Sequence, residues 1–171
     1  TLAGRSRRFK SAGYNKPKFL LEIDDKPIIL HVTEMFSKED VFHFIFNNNQ
    51  IPENPEIIDI IKSNILNYNI IEVEPHEKGP IHSCLKLNNF SKNKPLIITY
   101  CDFFVKWNYI KFKNSVEDYD MVIPSFKGFH PASFGKTTYA YTKLNDRNEL
   151  IKLKEKESFS ENRAEEYANS G

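Results

Sequence analysis

The sequence predicts an α/β protein: a mostly parallel mixed sheet with flanking helices, and an antiparallel hairpin added toward the carboxyl end. Apolar runs of strand length alternate with segments of helical period, as they do where parallel strands are joined by helical crossovers. The rhythm changes after Gly128, where "TTYAYTKL" and "LIKLKEK" flank the polar stretch "NDRNE", the pattern of two antiparallel partners around a turn. A chain of 171 residues can build one domain with a real core but not two. A single domain over residues 1–171 is therefore expected.

Each element follows in order. Leu2 and Ala3 read as the end of a buried strand, followed by a basic loop and a strand over Phe19–Ile23. Pro27–Phe36 reads as a helix because proline suits the first turn, where its missing N–H costs nothing. Val41–Phe46 is a second apolar run, and Pro55–Leu66 carries the helical stripe Ile57, Ile58, Ile61 and Ile65. Strands at Ile70–Val73, Leu96–Tyr100 and Met121–Pro124 then alternate with helices at Ile81–Leu87 and Trp107–Val116. The chain stops at "YANSG", where a further strand is expected, so the domain is read as incomplete, above all at its carboxyl end.

Composition excludes several classes. Lys and Arg total 24 against 23 for Asp and Glu, a net charge of +1, so no global field gathers nucleic acid or anionic membrane. Any anion site must be local. Cys84 and Cys101 show neither CxxC spacing nor a disulfide-dense pattern, which suits a reduced interior. No apolar run approaches the ~20 residues of a bilayer span, and no signal peptide is evident. A cytoplasmic protein with no nucleic-acid or membrane partner is expected, and a homo-oligomer is left open.

Charge is concentrated in "LAGRSRRFKSAGYNKPK", which brings Arg5, Arg7, Arg8, Lys10, Lys16 and Lys18 into a loop behind the first strand stub. Gly4 lets a phosphate approach the backbone, arginine suits bidentate phosphate contact, and lysine serves as a point charge. A solvated basic loop would have the same composition, and the Walker pattern GxxxxGK[ST] is absent. In "IITYCDFF" an apolar run delivers Asp102 at its carboxyl end, where a hard oxygen ligand could hold Mg²⁺ and where a helix cap would look alike. "EVEPHEKGPIHSCLKL" reads as strand, loop and helix, with Gly79 in the loop. "FKGFHPASFGK" places Lys127, His130 and Lys136 on a segment long enough to cover a site; His130 has no second His or Cys at ligand spacing, so it is read as an acceptor contact or a surface turn rather than a metal ligand. In "LIKLKEKESF" alternation separates Lys152, Lys154 and Lys156 from Leu153 and Glu155, as on an edge strand protected by lysines.

"LAGRSRRF", followed by "KPKFLLEIDDKPIILHV", resembles the opening of the sugar-phosphate nucleotidyltransferases, roughly LAxGxGTR, a variable loop, then PKxLLxIxGKPxIxH. Gly4 falls on the first loop glycine, Arg8 on the motif arginine, and Pro17 with Lys18 on PK; the match continues through Glu22, Lys26, Pro27 and Ile29. Ser6 stands where a second glycine is usual and Arg7 where Ser or Thr is usual. Asp102 falls on the metal-binding Asp of the strand-end "GD" element, with Cys101 in place of the glycine. The "HEKGPIHSCLKL" stretch resembles the base-recognition segment, making Gly79 a base contact, with Lys78 and His82 beside it. "LIKLKEK" resembles a strand ending in EKP, matched by Glu155 and Lys156, and "YANSG" resembles an acceptor-pocket strand containing Asn169 and Gly171.

The resemblance implies the Rossmann-like nucleotide-diphospho-sugar transferase fold and transfer of NMP from an NTP to a phosphorylated acceptor. Leu2, Ala3, Gly4, Arg5, Ser6, Gly79 and Cys101 would surround the nucleotide, Arg8 and Lys18 would be catalytic, and Asp102 would bind Mg²⁺. Glu155, Lys156, Asn169, Gly171 and His130 would face the acceptor. A second metal-binding Asp is expected beyond Gly171. CTP or UTP/dTTP are the favoured donors, and a sugar 1-phosphate is the favoured acceptor, for surface polysaccharide synthesis. Phosphocholine or another small phosphate is the alternative, with Phe103, Phe104, Trp107, Phe126 and Phe129 available for a cation cage or for core packing. Two readings of other classes are a non-catalytic nucleotide-sensing or assembly domain, and a glycosyltransferase, whose usual DxD motif "CDFF" does not supply.

Overall fold

A computed structural model describes residues 2–4, 7–87, 93–128, 137 and 139–169, with Arg7 and Arg8 described by their backbone alone. The chain divides into two compact units, Thr1–Lys111 and Phe112–Gly171. In order, the first contains α1 (Arg7–Ser11), β1 (Glu22–Ile23), β2 (Lys26–Pro27), α2 (Ile28–Thr33), β3 (Phe42–Asn47), α3 (Gln50–Glu53), α4 (Glu56–Asn64), β4 (Tyr68–Val73) and α5 (Pro80–Cys84). The next helix, α6 (Tyr109–Ser115), crosses the boundary in sequence. No helix among the described residues is long and apolar enough to cross a membrane.

The centre of the first unit is a β-α-β crossover. β3 and β4 run parallel, with Phe42 opposite Tyr68 and Asn47 opposite Val73. β3 is "FHFIFN", and its last four residues are all buried, as expected for a parallel strand covered on both faces. Alternation sends Phe44 and Phe46 into one apolar cluster with Phe19, Ile57 and Ile61, and Ile45 into another with Val73 and Cys84. Leu2 joins the first cluster while Ala3 packs against the second. The Leu2 amide donates to the Ile45 carbonyl at 2.9 Å, which ties the opening residues to β3, although Leu2–Gly4 form no strand and the parallel sheet consists of β3 and β4 alone among the described residues.

α4 packs over that sheet through Ile57 and Ile61, both fully buried, which lie one turn apart and share one face. Pro55, at φ −63°, leads into the helix, and Glu56 and Asp59 occupy its first turn, where carboxylates complement the helix dipole. Ile57→Val removes one methylene from this contact. We expect it to lower the unfolding free energy by about 1 kcal/mol, read as a shifted denaturant midpoint at constant slope.

Three strand expectations change. Phe19–Ile23 is not one strand. Pro17 launches a 3₁₀ turn at Lys18–Leu20, the Leu20 amide bonds to the Pro17 carbonyl at 2.9 Å, and both Phe19 and Leu20 are buried. Only Glu22–Ile23 pairs with β2, through Asp24 and Asp25 at φ 51° and 57°; two left-handed residues in a two-residue turn are the type I′ arrangement that matches strand twist. Leu96–Tyr100 forms no strand, and Leu96, Ile97 and Ile98 are 43%, 40% and 39% exposed. Met121–Pro124 also stays outside a ladder, which begins only after Pro124, a residue with no N–H to give.

The second unit is an antiparallel sheet of β5 (Ser125–Phe126), β6 (Ala140–Leu144), β7 (Leu150–Glu155) and β8 (Tyr167–Asn169), in the order β5-β8-β6-β7. The expected hairpin is β6–β7, with Tyr141 opposite Lys154. Asn145 ties its turn: its Oδ1 accepts the amides of Arg147 and Glu149 at 3.0 and 2.9 Å, and its Nδ2 donates to Glu149 at 2.6 Å. The fold is thus mixed α/β, a parallel pair joined by helices plus an antiparallel sheet.

Candidate functional site

The carboxyl ends of β3 and β4 and the residues around them gather most of the expected nucleotide contacts into the first unit. Lys18 stands in the 3₁₀ turn begun by Pro17, and Asp102 follows the apolar residues 96–101. Lys18 Nζ lies 2.9 Å from Asp102 Oδ1, with the two side chains 20% and 30% exposed. A cation and a carboxylate from distant parts of the sequence therefore meet at a partly desolvated point, where their charges act more strongly than in bulk water.

Cys101 anchors the acidic end of this pair. It is buried in the cluster that also holds Leu2 and Phe19. Burial pushes its thiol up from the ordinary range and the Asp102 charge adds to this, while the Lys18 ammonium pulls the other way. The neutral thiol packs; it is not an activated nucleophile.

The opening loop is held from a stretch that the sequence reading passed over, "NNNQ" at residues 47–50. Gln50 Nε2 donates to the Leu2 carbonyl at 2.8 Å and to the Gly4 carbonyl at 3.1 Å, and Asn47 Nδ2 donates to the Ala3 carbonyl at 3.3 Å. Arg8 lies in α1. Arg5 and Ser6 lie outside the described residues.

After β4 the chain forms a second loop. Gly79 has φ 85° and ψ 170°, a region essentially confined to glycine, and Pro80 then opens α5. His76 Nδ1 accepts the Lys78 amide at 3.2 Å, so the neutral ring carries its proton on Nε2, which lies 2.9 Å from the Ser83 hydroxyl. His82 meets His76 edge to face at 4.7 Å. Partial desolvation, then the charges of Lys78, His76 and Lys86, hold His82 below the usual histidine range. The loop therefore combines a glycine-only bend with two imidazoles in contact, beside the charged side chain of Lys78.

The acceptor candidates lie in the second unit. Lys156 follows β7 at φ 55°, its amide bonds to the Tyr139 carbonyl at 3.0 Å, and its Nζ is 3.7 Å from Glu155. Both side chains are exposed. Asn169 sits in β8 opposite Ser125. His130 and Gly171 lie outside the described residues. Of the aromatic residues considered for a cation cage, Trp107 donates to the Met35 carbonyl at 2.9 Å and packs edge-on against Phe36, and Phe104 stacks on His31. Phe129 lies outside the described residues.

The crystal structure of a nucleoside-diphosphate-sugar pyrophosphorylase from Vibrio cholerae RC9 superposes on the chain with a TM-score of 0.62, at 18% identity, covering 98% of this chain and 70% of that one. It shows that the fold is shared. No curated protein matches the chain. The family model described as the MobA-like NTP transferase domain matches residues 2–159. With the opening residues held from the end of β3 and a Lys18–Asp102 pair on the same core, the chain belongs to the MobA-like NTP transferase family and is a nucleotidyltransferase.

Proposed function

We propose that the protein transfers a nucleoside monophosphate from an NTP to a sugar 1-phosphate, giving a nucleoside-diphosphate sugar and pyrophosphate for surface polysaccharide synthesis. The observation that carries this is the 2.9 Å Lys18–Asp102 pair, built on the same core as the opening loop. A phosphate oxygen of the acceptor forms a bond to the α-phosphorus of the NTP. The bond from that phosphorus to the bridging oxygen breaks, and its electron pair leaves with pyrophosphate. Two polyanions must meet in line, so the protein's work is positioning and charge stabilisation rather than proton transfer.

Each residue has a part in that work. The Gly4 loop and Arg8 hold the β- and γ-phosphates, and Lys18 stabilises charge developing at the α-phosphate. Gly79 and its neighbours face the base. Glu155, Lys156 and Asn169 are assigned to the acceptor, with Lys156 holding its phosphate, within one nucleotidyltransferase-like domain over residues 1–171.

Asp102 is the residue that would hold Mg²⁺. The described residues include no group of three or more His, Cys, Asp or Glu able to enclose a metal, and a single partly exposed carboxylate fits a cation that takes its other ligands from water and substrate phosphates. Bound there, Mg²⁺ would neutralise triphosphate charge and polarise the reacting phosphorus.

Pyrophosphate release tests the proposal, with the four NTPs and dTTP each paired with sugar 1-phosphates and phosphocholine in the presence of Mg²⁺. Release with one NTP and a sugar 1-phosphate is expected. Turnover only with CTP and phosphocholine would replace the acceptor class. No turnover with any pair, together with no NTP binding by calorimetry, would overturn the proposal.

A further inference from the structure

We infer that Gln50, assisted by Asn47, is a positioning residue that sets the nucleotide loop for phosphate; the inference rests on the function proposed above. Both side chains are 6% exposed, and both reach across to the start of the chain. Gln50 Nε2 donates to the carbonyls of Leu2 and Gly4 at 2.8 and 3.1 Å, while its Oε1 accepts the Asn47 amide at 2.8 Å. Asn47 Nδ2 donates to the Ala3 carbonyl at 3.3 Å, and its Oδ1 accepts the Asn49 amide at 3.2 Å. Three consecutive carbonyls are thus taken by two side chains. The Gln50 amide uses both N–H groups and its oxygen in doing so.

The chemistry of a phosphate explains why that matters. Its ionised oxygens only accept hydrogen bonds, so a backbone loop that cradles one must turn amides toward it and keep carbonyl oxygens away. Gln50 and Asn47 hold those carbonyls. Among the described residues no backbone hydrogen bond runs from the amides of Ala3 and Gly4, and these are the donors assigned to the phosphate. A carbonyl that accepts a bond also polarises its peptide group and makes the attached N–H a better donor. Leucine or methionine at position 50 would fill similar space and supply none of this, and glutamate would put a carboxylate against two carbonyl oxygens.

Gln50→Met tests the inference, with Asn47→Ser as a milder companion that loses the bond to Ala3. Calorimetry gives NTP affinity, steady-state pyrophosphate release gives both KM values and kcat, and thermal melting reports folding. In folded Gln50→Met the Kd and KM for NTP should rise about tenfold or more, while kcat at saturation and the acceptor KM stay within about threefold, the signature of lost ground-state binding at one substrate. Asn47→Ser should show the same selectivity with a smaller rise, and it carries the test if Gln50→Met does not fold. Unchanged NTP affinity in a folded variant, or an equal rise in both KM values, would overturn the inference. Wild-type protein that binds no NTP would instead overturn the function on which it rests.

Discussion

Asp102→Asn should leave a folded protein whose turnover, at saturating NTP and acceptor, falls by about a hundredfold or more. Asparagine keeps the size of the side chain and one acceptor oxygen but loses the charge. The carboxylate is the group assigned to hold Mg²⁺, and electrostatic stabilisation of a transition state is commonly worth about 10²–10³ in rate. The structural loss is small by comparison. Its ion pair with Lys18 is partly solvated, and such pairs contribute about 0–1 kcal/mol, so the melting temperature should shift by only a few degrees. Rates of pyrophosphate release measured across a Mg²⁺ titration, beside thermal melts, separate the two effects. A variant that turns over normally would remove Asp102 from the metal assignment; one that recovers at high Mg²⁺ would support it.

What the sequence disclosed followed from how local each signal is. Ile57 and Ile61 mark the buried face of α4 by spacing alone, and the alternating apolar residues of Phe44–Phe46 sit in two different clusters as a doubly covered strand requires. The "NDRNE" stretch carries the asparagine that ties its own turn. Leu96–Tyr100 had the composition of a strand but not the outcome. Strand formation depends on a partner elsewhere in the chain, and nothing in an apolar run names that partner. Phe19–Ile23 failed for a local reason that was visible: Pro17 on one side and the Asp24–Asp25 turn on the other leave only two residues to pair.

The site divides in the same way. Lys18 and Asp102 became legible through the ordered motif resemblance, not through any property of either segment, and the structure places them 2.9 Å apart. Gln50 was invisible. In sequence it is one polar residue after three asparagines, and its meaning lies in carbonyls at the start of the chain, distant in sequence and adjacent in space. Only the structure supplies the signal: a glutamine 6% exposed just past the carboxyl end of β3 must find partners for its polar atoms.

Lys18→Ala should lower kcat/KM for NTP by about 10²–10³, as expected when a preorganised positive charge at a reacting phosphate is removed. The 3₁₀ turn that presents Lys18 is held by backbone bonds from Pro17 and by the burial of Phe19 and Leu20, so alanine should retain the fold. Lys18→Arg should recover only part of the loss, because a planar fork cannot occupy the compact position of an ammonium. Combining Lys18→Ala with Asp102→Asn makes the sharper test. Independent roles would multiply the two rate losses, whereas residues acting as one unit on the same transition state give a double variant little worse than either single one. The direct contact between their charged atoms favours the second result. Multiplicative losses would mean that the pair seen here separates before reaction and that each residue then serves its own phosphate. Near-wild-type activity of a folded Lys18→Ala protein would take the lysine out of the chemistry altogether and leave it as a counterion that keeps Asp102 in place.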